Sequence, residues 1–591
     1  MSESGGDIGP GPHETVAPWE WALLGVFCAA LLAFWIAHYH RFTVPNGDYV
    51  EIEQTSKQIW SGHLPSNYKR MPLLSLLMGP LAKIIPAQRP YLEAALILNI
   101  AFSLAMLPLL FIFARRLLGW AAILPVVVYA TLAIFLRSAL APLIEPSLGF
   151  FVLLTLVLWQ RGSVWQYAAA FAAAMARYEA VALIAICFVL NVAHERRVWK
   201  HLLLSALAST GFLAWMILSV THSTLVNPYV EQMNATAWKA EPGFIMQVMR
   251  QSFGGLRATV GGNAQLGICV LLTGLGIYAA WSRFRRETIA LWSFFAIYVA
   301  VHVAFGVDRP RYAYPVAWIP FTYLTLGILA VVVRLRPMLA KAPRFAWKVS
   351  SLGVALILVC IAVPAVWTAF QYATIGHGVL AGRVYGVLLG AILALTGLYA
   401  LLTHRRSHIA AAVACLGAIV LVAPAAGRGL GVQARTSWNE FYQHYDHYRL
   451  AEWLKAHMKP GERALVPNGQ MVKFCFPFDA GAVMFFGDLP AKNEADLIRD
   501  AAKARVTYVC YVYHRPVDRK DSWSVYLNRV LKTDLIDLFM DGRDHPCFKR
   551  IAKIDLPPAM REPPVLVYRF VPESIAVETN GRDPALAEPR P

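Results

Sequence analysis

Charge is what this sequence has least of. Only 15% of its 591 residues are Asp, Glu, Lys or Arg, while 57% are apolar, and the mean hydropathy is +0.48. A soluble enzyme of this length carries about one quarter charged residues, so a wholly soluble chain is excluded. The first twenty residues are Gly/Pro-rich and contain no Lys or Arg. They lack the basic start of a cleaved signal peptide, and Trp21–His38 reads as an uncleaved first span. Cysteine is sparse and unpatterned. Five of the eight (Cys28, Cys187, Cys269, Cys360 and Cys415) stand singly inside apolar runs, as small buried residues do. Cys475, Cys510 and Cys547 show no metal-type spacing; one disulfide is allowed among them, but three residues name no pair. No repeat of fixed period occurs.

What is present in quantity is apolar runs near twenty residues, the length that crosses a bilayer. The expected spans are 21–38, 91–113, 120–136, 146–159, a broken pair 165–176 and 179–193, then 201–220, 266–282, 288–305, 312–333, 348–370, 384–402 and 409–426. That predicts a polytopic α-helical membrane protein of about thirteen spans. The net charge of +18 suggests nucleic acid at first sight. The basic residues lie in short loops rather than in one soluble domain, so no nucleic-acid partner is expected.

The broken pair decides the topology. Trp165–Ala193 is one apolar run interrupted by Arg177-Tyr178-Glu179. Three polar groups at mid-bilayer are costly unless they line a cavity or the chain turns there. If it turns, Arg115-Arg116, Arg161, Arg196-Arg197, Lys200, Arg283, Arg285-Arg286, the five basic residues of 334–348 and Arg405-Arg406 share one side, sixteen in all. A single crossing would scatter them. The positive-inside rule therefore predicts the turn, a cytoplasmic N-terminus and an external C-terminus. Asp48, Glu145, Arg177, Glu179, Asp308, Arg309 and Arg311 then all fall on the external face.

Apolar runs stop after Pro424. Expected helices at Arg449–Met458, Ala495–Ala504 and Val525–Phe539 alternate with strands at Ala464–Pro467, Val506–Tyr513 and Pro564–Phe570, which predicts a small soluble α/β domain over 435–571. Residues 1–20 and 572–591 read as disordered, and 21–430 as the membrane domain, with an external loop at 39–90.

That loop holds the chemistry. Asp48 follows a Pro45-Asn46-Gly47 turn. The next run places Tyr49, Ile52, Ile59 and Trp60 on one face, as in a helix lying on a membrane surface. Lys69-Arg70 and a Pro-led segment too short to span, Pro72–Ile85, follow. A lone carboxylate at a lipid–water boundary suits a general base, and it equally suits a helix cap. Glu145-Pro146 opens the span Ser147–Trp159, where an acid either joins a site or favours the helix dipole. Asp308-Arg309-Pro310-Arg311-Tyr312 brings two arginines to a helix start, a good phosphate site, though interfacial anchoring by Arg and Tyr is also common. The 221–265 loop, with Trp238 and paired glycines, reads as a connector. His302 beside Glu145 is considered as a divalent-ion pair and set aside. His444, Asp446 and His447 lack a standard ligand pattern and read as a polar helix face.

The residues Gly47-Asp48, Ile59-Trp60-Ser61-Gly62 and Tyr68-x-Arg70-x-Pro72-Leu73 resemble the first external loop of the GT-C superfamily of integral-membrane glycosyltransferases. The branch that uses polyprenyl-phosphate sugars, with its protein O-mannosyltransferases and aminoarabinose transferases, is the nearest in pattern. Ile144-Glu145-Pro146-Ser147, Arg177-Tyr178-Glu179 and Arg311-Tyr312-x-x-Pro315 are similar to further short elements of that family. Met71-Pro72 stands where many members have two prolines, and Asp48-Tyr49 where some have Asp-Glu, which leaves the subfamily open.

The resemblance implies transfer of a hexosyl or pentosyl group from a polyprenyl-phosphate carrier to a protein, lipid or glycan acceptor. The reaction would run at the external face of a cytoplasmic membrane and with inversion. Asp48 and Glu145 would be catalytic. Arg177, Arg309, Arg311, Lys69 and Arg70 would bind the donor phosphate, with Glu179, Asp308 and Tyr312 in support. No cofactor is required, and a divalent metal is left open. A lipid transporter or flippase and a non-catalytic scaffold of the same shape are the alternatives.

Overall fold

A computed structural model provides the structure. It describes residues 18–39, 47–222, 263–304, 310–340, 445–511 and 545–571, apart from short gaps within them. The spans expected at 348–370, 384–402 and 409–426, the 221–265 loop apart from its ends and two single residues within it, Asp308, Arg309 and the helix expected at Val525–Phe539 lie outside the described residues. The chain divides into two units: Met1–Tyr39, Glu51–Val230 and Trp238–Thr436 form the first, and His40–Val50, Glu231–Ala237 and Ser437–Pro591 the second.

Among the described residues, the first unit is helical. Its helices are α1 (Pro18–Ala37), α2 (Gly47–Trp60, most of which belongs here), α3 (Leu73–Ile84), α4 (Pro90–Leu118), α5 (Ile123–Thr131), α6 (Ala133–Leu140), α7 (Glu145–Gln160), α8 (Gln166–Ala176), α9 (Val181–Glu195), α10 (Val198–His222), α11 (Asn263–Trp281), α12 (Arg285–Ala304) and α13 (Trp318–Ala340). Among the described residues four helical segments are long and apolar enough to cross a membrane: Pro90–Leu118, Tyr178–Glu195, Val198–His222 and Arg285–Ala304. The run expected as a span at 120–136 is broken: α5 and α6 are together long and apolar enough to cross, with a bend of 63° between them.

The interrupted run is a hairpin. Arg177 is extended (φ −152°, ψ 146°) between α8 and the 3-10 turn Tyr178–Ala180 that leads into α9. Near the other end of the pair, Asn191 Nδ2 donates to Gln166 Oε1 and to the Tyr167 hydroxyl, each at 3.1 Å. A continuous helix would hold positions 166 and 191 roughly 37 Å apart. The two helices therefore run antiparallel, and the chain does turn at Arg177.

α2 packs against α3. Its buried side is Tyr49, Ile52, Thr55 and Ser56, while Trp60 is 39% exposed. Polar groups bind the two helices together. Ser56 Oγ donates to the Ser75 carbonyl at 2.7 Å, Ser75 Oγ to that of Ile52 at 2.9 Å, and Trp60 Nε1 to that of Leu76 at 3.2 Å. Gly79 lies beneath the Trp60 indole, where a Cβ would collide with the ring. α11 and α13 approach still more closely: a Cβ on Gly276 would strike the Tyr323 carbonyl, and one on Gly327 that of Leu272. Small residues permit such contact between apolar helices.

The second unit contains a five-stranded sheet of β1 (Ala464–Val466), β2 (Val483–Phe485), β3 (Tyr508–Tyr511), β4 (Phe548–Ile554) and β5 (Val565–Phe570), in the order β2-β1-β3-β5-β4. β1 pairs parallel with β2 and β3, while β5 pairs antiparallel with β3 and β4. Alternate residues feed two cores. Leu465, Val509 and Tyr568 pack with Leu497 and Ala501 of α15 (Glu494–Lys503). Ala464, Cys510 and Val567 pack with Leu450 and Leu454 of α14 (Tyr445–His457). The sheet is thus covered on both faces, and burial pushes the Cys510 thiol up, which makes it inert. Asp446 and His447, expected on a polar helix face, lie in the first turn of α14 and are both buried; Asp446 Oδ1 accepts from His447 Nδ1 at 2.7 Å.

Candidate functional site

The ends of α7, α8, α9 and α12 and the 3-10 turn Pro310–Ala313 converge on one buried polar cluster in the first unit. Glu145 begins α7 with Pro146 behind it, an arrangement that suits both the helix dipole and proline at a first turn. The approach to it is fixed from α4: Asn99 Nδ2 donates to the carbonyls of Ala141 and Leu143, the latter at 2.9 Å. Arg177 is placed by the break between α8 and α9. Its Nε donates to Glu179 Oε2 at 3.1 Å and its Nη2 to Glu179 Oε1 at 2.8 Å. This two-pronged pairing is the strong form of an Arg–carboxylate contact, and it holds a guanidinium that is only 8% exposed.

His302, from the end of α12, joins the same pair. Its Nε2 lies 3.3 Å from Glu179 Oε1 and 3.5 Å from Arg177 Nη2. Its Nδ1 is 2.9 Å from the Tyr298 carbonyl, to which it can only donate. Tyr298 in turn donates its hydroxyl to the Tyr312 carbonyl at 2.9 Å, which fixes the 310–313 turn. Tyr129 does the same for the Tyr314 carbonyl at 2.6 Å, and Trp318 Nε1 for that of Pro315 at 2.8 Å.

The turn presents Arg311 and Tyr312. The Tyr312 ring lies 4.3 Å from the Arg177 Cζ and 5.1 Å from the Arg311 Cζ, so two guanidinium groups share one aromatic ring. Glu145 Oε1 bridges the same two groups, 3.7 Å from Arg177 Nη1 and 3.5 Å from Arg311 Nε. Two cations kept this close, balanced by two acids, form a place where an anion with several oxygens can be received.

Lys69 and Arg70 form a second group. Lys69 Nζ is 3.6 Å from Glu51 Oε1, and Arg70 Nε is 3.2 Å from Glu51 Oε2. Backbone contacts link this group to the first. The Tyr178 hydroxyl donates to the Tyr68 carbonyl at 2.9 Å, and Trp215 Nε1 reaches the same oxygen at 3.3 Å. Asp48 stands half-buried in the first turn of α2. The structure therefore brings together Glu145, Arg177, Glu179, Arg311 and Tyr312, and sets Lys69 and Arg70 on Glu51.

Sequence reading missed Asn99, Tyr298 and Glu51. Asn99 left a signal, being a lone amide inside an apolar span. Tyr298 left none, since a tyrosine near a helix end is ordinary. Among the described residues, no group of three or more His, Cys, Asp or Glu is arranged to hold a metal ion.

The architecture is that of a multi-pass membrane protein with a GT-C-like fold and a small sheet-containing region at the C-terminal end. Solved structures of similar fold include ArnT from Cupriavidus metallidurans bound to undecaprenyl phosphate, 14% identical, with a TM-score of 0.50 over 97% of this chain and 100% of that one. The apo state of the same ArnT is 14% identical, with a TM-score of 0.51 over 94% and 98%. The Archaeoglobus fulgidus oligosaccharyltransferase tethered with an acceptor peptide containing the NVT sequon is 11% identical, with a TM-score of 0.50 over 91% and 73%. No family model and no curated protein matches the sequence.

Proposed function

We propose that this protein is a membrane glycosyltransferase that moves a sugar from a polyprenyl-phosphate-linked donor to an acceptor hydroxyl or amide, with inversion, at the external membrane face. The observation that carries this reading is the pairing of buried Arg177 with half-buried Arg311 over the Tyr312 ring at converging helix ends. It occurs in a chain with the fold of a protein solved with undecaprenyl phosphate bound.

The acceptor oxygen or nitrogen attacks the anomeric carbon from the face opposite the phosphate. The carbon–oxygen bond to phosphate breaks, its electron pair leaves on the phosphate oxygen, and the acceptor's proton passes to Asp48 as general base. Arg177 and Arg311, with Arg309, neutralise the charge that builds on the departing phosphate. Glu179 orients Arg177 through its two short bonds. Lys69 and Arg70 supply further positive charge beside Glu51. Glu145 is assigned to the arginines rather than to proton transfer, because it lies between the two.

The test is transfer of radiolabelled sugar from a lipid carrier, comparing wild type with Asp48→Asn at matched membrane insertion. We expect a loss of at least about a hundredfold, the scale of general-base catalysis. Unchanged transfer by the variant would remove Asp48 from the mechanism. No transfer by the wild type from any polyprenyl-phosphate sugar would favour a transporter or scaffold.

A further inference from the structure

Glu145 is held loosely for a buried carboxylate between two guanidinium groups. Its Oε1 lies 3.7 Å from Arg177 and 3.5 Å from Arg311, beyond the roughly 2.7–2.9 Å of a charge-assisted hydrogen bond. Its Oε2 is buried and meets no hydrogen-bond partner among the described residues, in a side chain only 2–3% exposed. A buried ion pair that served stability alone would close to bonding distance and satisfy both oxygens. Glu179 does close, at 2.8 and 3.1 Å. One acid locks Arg177 in place, and the other only neutralises.

The formal charges of Glu145, Glu179, Arg177 and Arg311 cancel. A phosphate arriving here therefore meets cationic donors and an opposing carboxylate together. We propose that Glu145 is an internal competitor of the phosphate: it occupies the ground between Arg177 and Arg311 in the empty site and yields those donors when a lipid-linked phosphate binds. This rests on the reading that these arginines hold the donor phosphate.

On binding, Arg177 Nη1 and Arg311 Nε turn from Oε1 to the phosphate oxygens, while Glu179 keeps Arg177 aimed. The displaced carboxylate then repels the phosphate. The repulsion is greater for the product, a phosphomonoester carrying up to about one more negative charge than the phosphodiester donor. Glu145 thus sacrifices affinity to speed release of the spent carrier.

The experiment is binding of undecaprenyl phosphate to the purified full-length protein in detergent, with undecaprenol as the phosphate-free control. Wild type is compared with Glu145→Gln, Glu145→Met, Glu145→Asp and Arg311→Ala, each checked for an intact melting transition. Removing the charge, by Gln or by Met, is expected to tighten undecaprenyl phosphate binding about tenfold, the scale of one charge pair in a partly screened interior. Undecaprenol binding stays unchanged, and Glu145→Asp stays within about threefold of wild type because it keeps the charge. Transfer by the uncharged variants becomes more sensitive to inhibition by added undecaprenyl phosphate.

If the uncharged variants bind no tighter than wild type while Arg311→Ala weakens binding, the competitor role is overturned and the phosphate site stands. If the wild type binds undecaprenyl phosphate no better than undecaprenol, both are overturned.

Discussion

The buried arginine of the helix break illustrates how single residues are held in this protein. Arg177 is 8% exposed and tolerates it because Glu179 engages two of its nitrogens, while Tyr312 covers its face. Deleting the acid leaves a cation in a dry site. Breaking a buried pair by removing one partner costs about 3–5 kcal/mol. Glu179→Ala is therefore expected to lower the melting temperature of the detergent-solubilised protein markedly. Glu179→Gln, which keeps one acceptor oxygen, should lose less; equal melting of wild type and both variants would show that Arg177 does not depend on Glu179. At this scale the sequence was partly legible. Arg177, Glu179 and Glu145 stand out because charge inside apolar runs is conspicuous. Tyr298 does not, because its role is a contact to a carbonyl 14 residues away; Asn99 is conspicuous as a lone amide, but the carbonyls it holds, 42 and 44 residues on, are not.

Elements are held together here by closeness as much as by apolar area. In a lipid setting helices gain little from hydrophobic burial against one another, so small residues that let backbones meet carry much of the association. Gly276 and Gly327 do this between α11 and α13. Gly276→Val would force the Tyr323 carbonyl away, and overpacking of this kind costs about 1–3 kcal/mol. A variant that melts like the wild type would contradict the close approach.

The sheet shows the opposite balance. β1, β3 and β5 were anticipated as apolar segments alternating with helices, whereas β2 and β4 were not. β2, at one edge, spans three residues. β4 is strongly basic, and a register shift between Arg550 and Ala552 breaks its alternation. Edge strands are often charged and bulged in this way, which hides them from pattern reading.

At the scale of the first unit, the hairpin of α8 and α9 sets the side on which everything after it emerges. Because the chain turns at Arg177, the loop before α8 and the loop after α9 lie on one side of the membrane. Cysteines introduced at Gly162 and Arg197, both exposed, in a background without reactive thiols, are expected to react with a membrane-impermeant maleimide from the same side. Labelling from opposite sides would mean that the run crosses once.

The sequence by itself determined that this chain lives in a membrane. Apolar runs of spanning length are a local property, and each charge that interrupts them is visible without knowing its partner. It also determined which charges were out of place, and the asymmetry of its basic loops predicted the turn. Only the tertiary structure decided which of those charges meet. Glu145, Arg177, Arg311 and His302 come from four elements spread over more than 160 positions, and nothing local encodes that Arg177 lies 3.7 Å from Glu145 or that His302 meets Glu179. Lys69 and Arg70 look equally available in sequence, but the fold sets them on Glu51. Pairing is a long-range property because a charge in a low-dielectric interior is stable only beside a partner, and packing chooses the partner.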